Sequence, residues 1–371
     1  MVAGRGLRIL MTTRSFGGGG AERVWATLAE RFAARGDEVV LAIDLDDHQP
    51  TFRDPIGPRV AVLGAGHLRA TRALADLMRE FRPDVALAAI SASCVKLVAA
   101  ATLARSDVPL VVSYHGFEEH RTGRLAKLAY WGLPVINRRV AAIVAVSDGL
   151  HRQLVESWGA DPRKTRRIYN PATLDLAGAA ETAADLAERP ARVLAVGRLS
   201  PEKGMDTLVA AFARTTRTDA RLTIAGDGPE RGRLERLAAD LGVAERITFL
   251  GQVADVRPLY REARLLAVPS RTEAFGMVLV EALAHGLPVV ATACSGPVEI
   301  LDGGQYGRLV PIEDPAALAA GIDQELGDPG DPRPRFERAR TFSLETGFGE
   351  WARLVDTLAQ AAPNRSDQAA A

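Results

Sequence analysis

Two glutamates, Glu273 and Glu281, stand in one short segment with seven residues between them. Glu273 follows the strand-like run 264–269, and Glu281 is predicted about two turns into a helix that opens near Gly276. The N–H groups at a helix start suit an anion or a set of hydroxyls, and carboxylates accept hydrogen bonds strongly from hydroxyls. The pair therefore predicts a site for a phosphorylated polyol, although either glutamate alone is typical of an ordinary surface acid.

Two basic residues follow another predicted strand. Arg198 comes directly after the strand 192–196, and Lys203 is predicted in the first turn of the next helix. A cation is unfavourable at a helix N-terminus, so a bound diphosphate accounts for Lys203 more directly than a structural role does. The two cations would stabilise the charge of a departing nucleoside diphosphate. The alternative is a surface ion pair.

Glycine-rich loops follow two further strands, in the segments 15–23 and 225–230. Glycine between a strand and a helix lets a ligand approach the backbone closely, but a flexible turn explains the first loop equally well, and turn chemistry alone explains the second. His115 ends another strand, at the edge of a parallel sheet where ligands bind. A lone histidine is more often structural, so positioning of a ligand is expected here more than proton transfer.

These segments together resemble the family-four retaining glycosyltransferases, bacterial enzymes that use nucleotide sugars. Glu273 and Glu281 match the paired-glutamate signature of that family, the run from Gly197 to Gly204 matches its Gly-Arg-Leu-x-x-x-Lys-Gly motif, and Gly19–Arg23 resembles its Gly-Gly-Ala-Glu-Arg loop. The resemblance spans nearly the whole chain. It implies an α/β fold of the GT-B type, in which two Rossmann-like, doubly wound parallel-sheet domains face each other across a cleft.

The resemblance also implies roles for individual residues. Arg198 and Lys203 would bind the diphosphate, Glu273 the sugar hydroxyls and Glu281 the ribose hydroxyls, while His115 would position the donor sugar. The residues expected to bind the donor are Gly18, Gly19, Gly226, Val253, Glu273, Ala274, Phe275, Gly276, Met277, Val278 and Glu281. No carboxylate is identified as a covalent nucleophile, and the resemblance implies front-face attack with the departing phosphate helping to take the acceptor's proton. The segment 294–301 resembles a family variant that often uses UDP-hexoses, which favours a UDP-sugar.

No metal or other cofactor is expected. The run Asp44-Leu-Asp46-Asp47 contains the Asp-x-Asp of metal-dependent transferases of another fold, but it lies in the first domain, away from Arg198 and Lys203. Two other classes of function remain open: a GT-B nucleotide-sugar epimerase and a non-catalytic nucleotide-sugar-binding subunit. An assay for interconversion without acceptor identifies the first, and donor hydrolysis excludes the second.

Composition limits the remaining choices. The chain has 371 residues, which suits two domains, and its formal net charge of zero with a small basic excess in residues 1–190 gives no reason to expect nucleic acid as a partner. The two cysteines, Cys94 and Cys294, form no disulfide or zinc pattern, so a reducing cytoplasm is expected. No secretory signal is visible, and the apolar stretch 85–104 is interpreted as a buried strand and helix.

Strand and helix patterns alternate along the chain, as in doubly wound sheets. The predicted domains are residues 1–172 with a C-terminal helix 346–362, a linker 173–190, a nucleotide-sugar-binding domain 191–345, and a disordered tail 363–371. The first seven strands are predicted near 7–13, 38–44, 59–63, 84–90, 109–114, 141–146 and 166–169, and five more near 192–196, 221–225, 246–250, 264–268 and 288–292. One helix is predicted over 121–138 and another over 203–216.

The segment 120–140 contains five basic residues and no acid, interleaved with apolar residues that include Tyr130 and Trp131. It is either an ordinary sheet-covering helix with solvated arginines, or a surface for an anionic membrane or a lipid-linked acceptor. The expected partners are thus a nucleotide-sugar donor, a saccharide or lipid-linked acceptor, and in the second case the inner face of the cytoplasmic membrane.

Overall fold

The computed structural model describes residues 6–15, 19–45, 57–117, 119, 123–174 and 182–361. It divides into two compact units, residues 1–171 with 347–371 and residues 172–346. The predicted linker 173–190 falls inside the second unit and contains a short helix. The predicted disordered tail lies outside the described residues.

The first unit is a seven-stranded parallel sheet with helices between all successive described strands except β2 and β3. Its strands are β1 Arg8–Thr13, β2 Glu38–Ile43, β3 Arg59–Val62, β4 Val85–Ala89, β5 Leu110–Tyr114, β6 Ala142–Ala145 and β7 Thr165–Arg167. Its helices are α1 Gly20–Arg35, α2 His67–Phe81, α3 Ser91–Ala104, α4 Arg124–Trp131, α5 Leu133–Arg139 and α6 Asp148–Trp158. The strand order is β3-β2-β1-β4-β5-β6-β7, so the direction of winding reverses between β1 and β4.

The second unit is a six-stranded parallel sheet of the same kind. Its helices α7–α14 are Ala183–Glu188, Met205–Phe212, Arg231–Asp240, Arg257–Glu262, Met277–Ala284, Ser295–Ile300, Pro315–Gly327 and Arg333–Arg340. Its strands β8–β13 are Arg192–Val196, Arg221–Ala225, Ile247–Gly251, Leu265–Val268, Val289–Thr292 and Arg308–Val310. The order β10-β9-β8-β11-β12-β13 places the winding reversal between β8 and β11.

Both sheets are buried on their two faces. Strands β4, β5, β6, β11 and β12 are buried at every residue, which is why they appear in the sequence as continuous apolar runs rather than alternating ones. The last helix, α15 Leu344–Ala361, adds aromatic contacts to the first unit: Trp351 meets Trp25 edge to face at 5.3 Å, and Phe348 meets Phe32 at 5.0 Å. None of the described helices has the length and apolarity needed to span a bilayer.

Several local predictions are wrong. The single helix expected over 121–138 is two helices, α4 and α5, because Pro134 has no N–H to donate and restricts the residue before it. The helix expected over 203–216 begins only at Met205. The elements α12, β13 and α14 had no predicted counterpart.

Candidate active site

The two segments predicted to bind the donor follow β8 and β11, the strands on either side of the winding reversal in the second unit. Strands β8 and β11 pair in parallel, with Leu265 opposite Val193. Their carboxyl ends therefore open at the same sheet edge, at the position where open α/β sheets bind ligands. The loop after β8 carries Arg198 and Lys203, and the loop after β11 carries Glu273.

Lys203 and Glu273 form a direct ion pair. The Lys203 ammonium donates to Glu273 Oε2 at 2.6 Å, with the side chains 25% and 15% exposed. Lys203 lies in a 3₁₀ turn, Pro201–Lys203, rather than in the first turn of α8. The predicted position in the first turn of a helix is therefore wrong, and Glu273 gives Lys203 a structural partner; binding of a diphosphate by Lys203 stays a prediction.

Arg198 belongs to the same loop but has a different partner. Its guanidinium donates to Glu202 Oε1 at 3.1 Å, and the Ser200 hydroxyl donates to the same oxygen at 2.5 Å. Burial raises the pKa of Glu202, but the hydrogen bonds from Ser200 and Arg198 outweigh it and leave that pKa below its ordinary value. Arg198 remains largely exposed, so it is able to meet a ligand.

A clamp that sequence reasoning missed joins the two loops. Arg271 donates to both carboxylate oxygens of Asp206 at 2.9 and 3.0 Å, and to the Pro201 carbonyl at 2.6 Å. Its backbone N–H donates to the Glu202 carbonyl at 2.9 Å. Arg271 lies two residues before Glu273, and Asp206 lies three residues after Lys203, so the clamp fixes both partners of the ion pair. Arg271 and Asp206 are both visible in the sequence, but no sequence pattern indicates that they form a pair.

Glu281 is held by two aromatic residues that sequence reasoning also missed. The buried Tyr260 hydroxyl donates to Glu281 Oε2 at 2.7 Å, and the Tyr260 ring stacks on His285 at 5.2 Å. His285 in turn contacts the Glu281 carbonyl through Nδ1 at 2.8 Å. Glu281 is the fifth residue of α11, so it lies about one turn into the helix rather than two.

At the start of α11, a ligand is able to approach the backbone closely. Gly276 is its N-cap at φ +97°, where a Cβ would lie 2.8 Å from Leu279 Cδ1. Ala274 and Phe275 are buried, while Met277 and Val278 are half-buried. The first two residues therefore offer a ligand backbone groups rather than side chains, and the helix start presents N–H groups without helical partners.

Gly226 has a structural reason to be glycine. At φ +147°, a Cβ there would lie 1.9 Å from the Gly197 carbonyl oxygen. The loop after β9 thus packs directly against the loop after β8, and the structure gives Gly226 a packing role. Val253 is half-buried just after β10, and the expectation that it borders the nucleotide stays a prediction.

His115 lies in the first unit, just after β5. Its backbone N–H donates to Glu119 Oε1 at 3.0 Å, its Nε2 contacts Ser113 Oγ at 3.0 Å, and its ring meets Trp25 edge to face at 6.1 Å. Burial lowers the pKa of His115 to about 4, against a hydrogen bond with Asn170 that raises it. A neutral imidazole at pH 7 suits hydrogen bonding better than proton donation.

The remaining predictions concern the first glycine loop and the acids near β2. Gly19 is the exposed N-cap of α1, whereas Gly18 lies outside the described residues. Asp44 pairs with the buried ammonium of Lys96, so its charge is used within the fold, and Asp46 and Asp47 lie outside the described part of the chain. No group of three or more His, Cys, Asp or Glu suited to a metal occurs among the residues that the structure describes.

The two parallel Rossmann-like sheets define the GT-B fold, and solved structures agree. HepE from Anabaena in complex with UDP and glucose superimposes with a TM-score of 0.82 at 24% identity, over 95% of this chain and 100% of that one. Sucrose-phosphate synthase from Thermosynechococcus elongatus does so with a TM-score of 0.81 at 24% identity, over 96% of this chain and 100% of that one. At these identities the likeness shows the fold alone.

Sequence comparisons define the family. The family model "Glycosyl transferases group 1" matches residues 190–328, and the model "Glycosyltransferase Family 4" matches residues 18–176. Glycogen synthase of Mycobacterium tuberculosis is 30% identical over 332 residues, which cover 86% of this chain and 79% of that protein. The chain belongs to the family-four glycosyltransferases with the GT-B fold.

Another relative is matched over less of its length. The D-inositol 3-phosphate glycosyltransferase of Geodermatophilus obscurus is 35% identical over 300 residues, covering 72% of this chain. The chain spans 64% of that relative and 56% of the corresponding protein of Acidothermus cellulolyticus. Activity, substrates and partners are therefore matters for proposal.

Proposed function

We propose that the protein is a glycosyltransferase that moves a hexose-type sugar from a nucleotide-sugar donor to a saccharide or lipid-linked acceptor in the biosynthesis of cell-surface glycans. The observation that carries this is the 2.6 Å contact between Lys203 and Glu273 at the winding reversal of the second sheet. At one sheet edge, the cation suits the diphosphate of a nucleotide sugar and the carboxylate suits its sugar hydroxyls.

The donor would replace the ion pair with better-matched partners. The diphosphate takes the Lys203 ammonium and the exposed Arg198 guanidinium, since an anion with two charges attracts them more strongly than one carboxylate does. Glu273 then accepts hydrogen bonds from sugar hydroxyls, and Glu281, oriented by Tyr260, accepts them from the ribose. UDP is favoured because the segment 294–301 resembles a variant common among users of UDP-hexoses, and HepE, which has the same fold, was solved with UDP and glucose.

The proposed reaction retains the anomeric configuration. The bond between the sugar C1 and the diphosphate oxygen breaks, the acceptor oxygen bonds to C1 on the same face, and the acceptor's proton passes to the departing phosphate. Arg198 and Lys203 stabilise the charge that develops on that phosphate. No metal is required, because these two side chains supply the positive charge. His115 is proposed to position the donor sugar, as its low pKa keeps it neutral.

We place the reaction in the cytoplasm. The described structure has its two cysteines, Cys94 and Cys294, free and buried, as suits a reducing compartment.

A screen of nucleotide sugars by thermal shift identifies the donor, because stabilisation follows RT ln(1 + [L]/Kd) and the preferred donor stands out. Turnover of that donor is then measured for Lys203→Ala and Arg198→Ala, with Arg236→Ala on the exposed face of α9 as a matched control. The two site variants should lose kcat by roughly 10²-fold or more, and the control should keep it.

Unchanged turnover in both site variants would remove their assigned role. Chelation should leave activity intact, and an absolute need for manganese would contradict the metal-free proposal. Interconversion of the donor without any acceptor would identify an epimerase instead, and binding without turnover or hydrolysis would identify a non-catalytic subunit.

A further inference from the structure

The outward side of α4 and α5 departs from the usual pattern of a surface helix. A helix packed on a sheet normally buries its apolar residues and exposes its polar ones. Here Trp131 is 73% exposed, Val135 68% and Leu128 51%. Small and aromatic residues, including Ala126, Ala129 and Tyr130, fill the buried side.

The exposed residues form one surface. The spacing of 124, 127, 128 and 131 puts these residues on one side of α4, and α5 continues the surface directly after Gly132. The α4–α5 outer face consists of Arg124, Lys127, Leu128, Trp131, Pro134, Val135 and Arg138, all of them exposed. It contains three cations, and no acid occurs anywhere in residues 120–140.

One further arginine of this segment, Arg139, has a structural role and is not part of the α4–α5 outer face. Arg139 points its guanidinium at the carbonyls of Val108 and Ser106, so it ties α5 to the body of the unit. Arg124, Lys127 and Arg138 lie in solvent. They are available to an anionic partner at no cost to the fold.

Trp131 is held in its exposed position. Its ring meets the Trp158 ring edge to face at 5.9 Å, and α5 is fixed against α6 by the hydrogen bond from Asn137 to the Gly159 carbonyl at 2.8 Å. The indole is thus presented outward by packing. An aromatic ring beside leucine, valine and arginine or lysine is the composition that settles in the headgroup region of a bilayer.

We propose that the α4–α5 outer face docks on an anionic lipid bilayer, with its apolar side chains entering the headgroup region and its three cations facing lipid phosphates. The occupant follows from charge, since a face with three cations, exposed apolar side chains and no acid of its own is complementary to acidic lipid. The proposal does not depend on the donor chemistry, since docking is measured without substrate.

The test is flotation of the purified full chain with vesicles of phosphatidylcholine alone or with about a third phosphatidylglycerol. Binding should require the acidic lipid and weaken as salt is raised. Each cation contributes about fivefold to partitioning, so Arg124→Glu with Lys127→Glu should reduce binding at least roughly 25-fold, and Trp131→Ser should reduce it as well. Leu241→Ser and Arg236→Glu, exposed changes of the same kinds at α9 in the second unit, are the matched controls and should bind normally.

Tryptophan fluorescence supplies an independent measurement. Acidic vesicles should shift the emission to shorter wavelength, and Trp131→Phe should keep most of the binding but lose the shift. Equal binding to neutral and acidic vesicles, no binding to either, or equal losses in the α9 controls would overturn the proposal. Thermal melts of the charge variants and the α9 controls should match the unchanged protein, because these side chains are exposed. Trp131→Ser also loses the contact with Trp158; if it melts early, it is replaced by Val135→Ser, for which the same reduction in binding is expected.

Discussion

Replacing Arg271 with alanine removes a side chain that ties the loop after β8 to the loop after β11. Arg271 makes a two-point contact with Asp206 and a third bond to the Pro201 carbonyl. The contact with Asp206 raises the pKa of Arg271 and, against burial, lowers that of Asp206. The substitution should therefore disturb both the stability of the second unit and the geometry of the Lys203–Glu273 pair.

The size of the effect follows from these contacts. Hydrogen bonds to charged groups are worth about 1.5–3 kcal/mol, and because Arg271 is 28% exposed and Asp206 20%, we expect a loss of about 2 kcal/mol in the free energy of unfolding. For a unit of this size that corresponds to a fall in Tm of roughly 4–8 °C. Arg308→Ala is a matched control in the same unit, because Arg308 makes a single contact with Glu325 at 3.0 Å, worth about 0.5–1 kcal/mol.

Stability is measured by denaturant unfolding, and activity by initial rates with the donor found in the screen. Arg271→Ala should also lower kcat roughly 10-fold to 10²-fold, since small displacements of reacting groups have large effects on rate. Arg271→Lys should be intermediate, because lysine keeps the charge but lacks the planar fork. If Arg271→Ala loses stability yet keeps kcat, or loses no more than Arg308→Ala in both measurements, the clamp does not position the site.

Three further predictions follow from individual contacts. Tyr260→Phe removes the hydrogen bond to Glu281, so it should lower the free energy of unfolding by about 1–2 kcal/mol and raise KM for the donor more than it lowers kcat; an unchanged KM would contradict the ribose role of Glu281. His115 has a folded pKa of about 4, below its ordinary value of 6.5, so the folded state binds fewer protons than the unfolded state between these pH values. The stability that this group contributes is complete above about pH 6.5 and is lost as pH falls towards 4. His115→Gln should therefore make the denaturant midpoint depend less on pH over that range. Gly226→Ala places a Cβ 1.9 Å from the Gly197 oxygen, whereas Gly242→Ala, at φ +71°, meets nothing within 4 Å; the first should cost more than about 2 kcal/mol and the second about 1 kcal/mol, and equal costs would show that backbone conformation rather than packing decides the effect.

Much of the fold was predictable because the signals are local. Many of the buried parallel strands are continuous apolar runs, and twelve of the thirteen strands in the described structure coincide with predicted segments. The exception, β13, is three residues long and only partly buried, but β7 is equally short and partly buried and was predicted, so length and burial alone do not explain the difference. Helix ends were less predictable, as at Pro134 and at Met205, because a proline or a left-handed glycine such as Gly204 decides them over one or two residues.

The site divides in the same way. The sequence by itself determined which residues are candidates for the site, since Arg198, Lys203, Glu273 and Glu281 stand in motifs whose spacing is local to one loop or helix. Only the tertiary structure decided their partners. Lys203 and Glu273 are 70 residues apart and meet at 2.6 Å, because the parallel strands β8 and β11 bring their carboxyl ends to one edge, and Arg271 meets Asp206 for the same reason. Tyr260 meets Glu281 because α10 packs beside α11. The tertiary structure also decided the solvent exposure of Trp131. The sequence shows that Trp131 lies among basic residues, but only the packing of α4 and α5 turns it towards solvent.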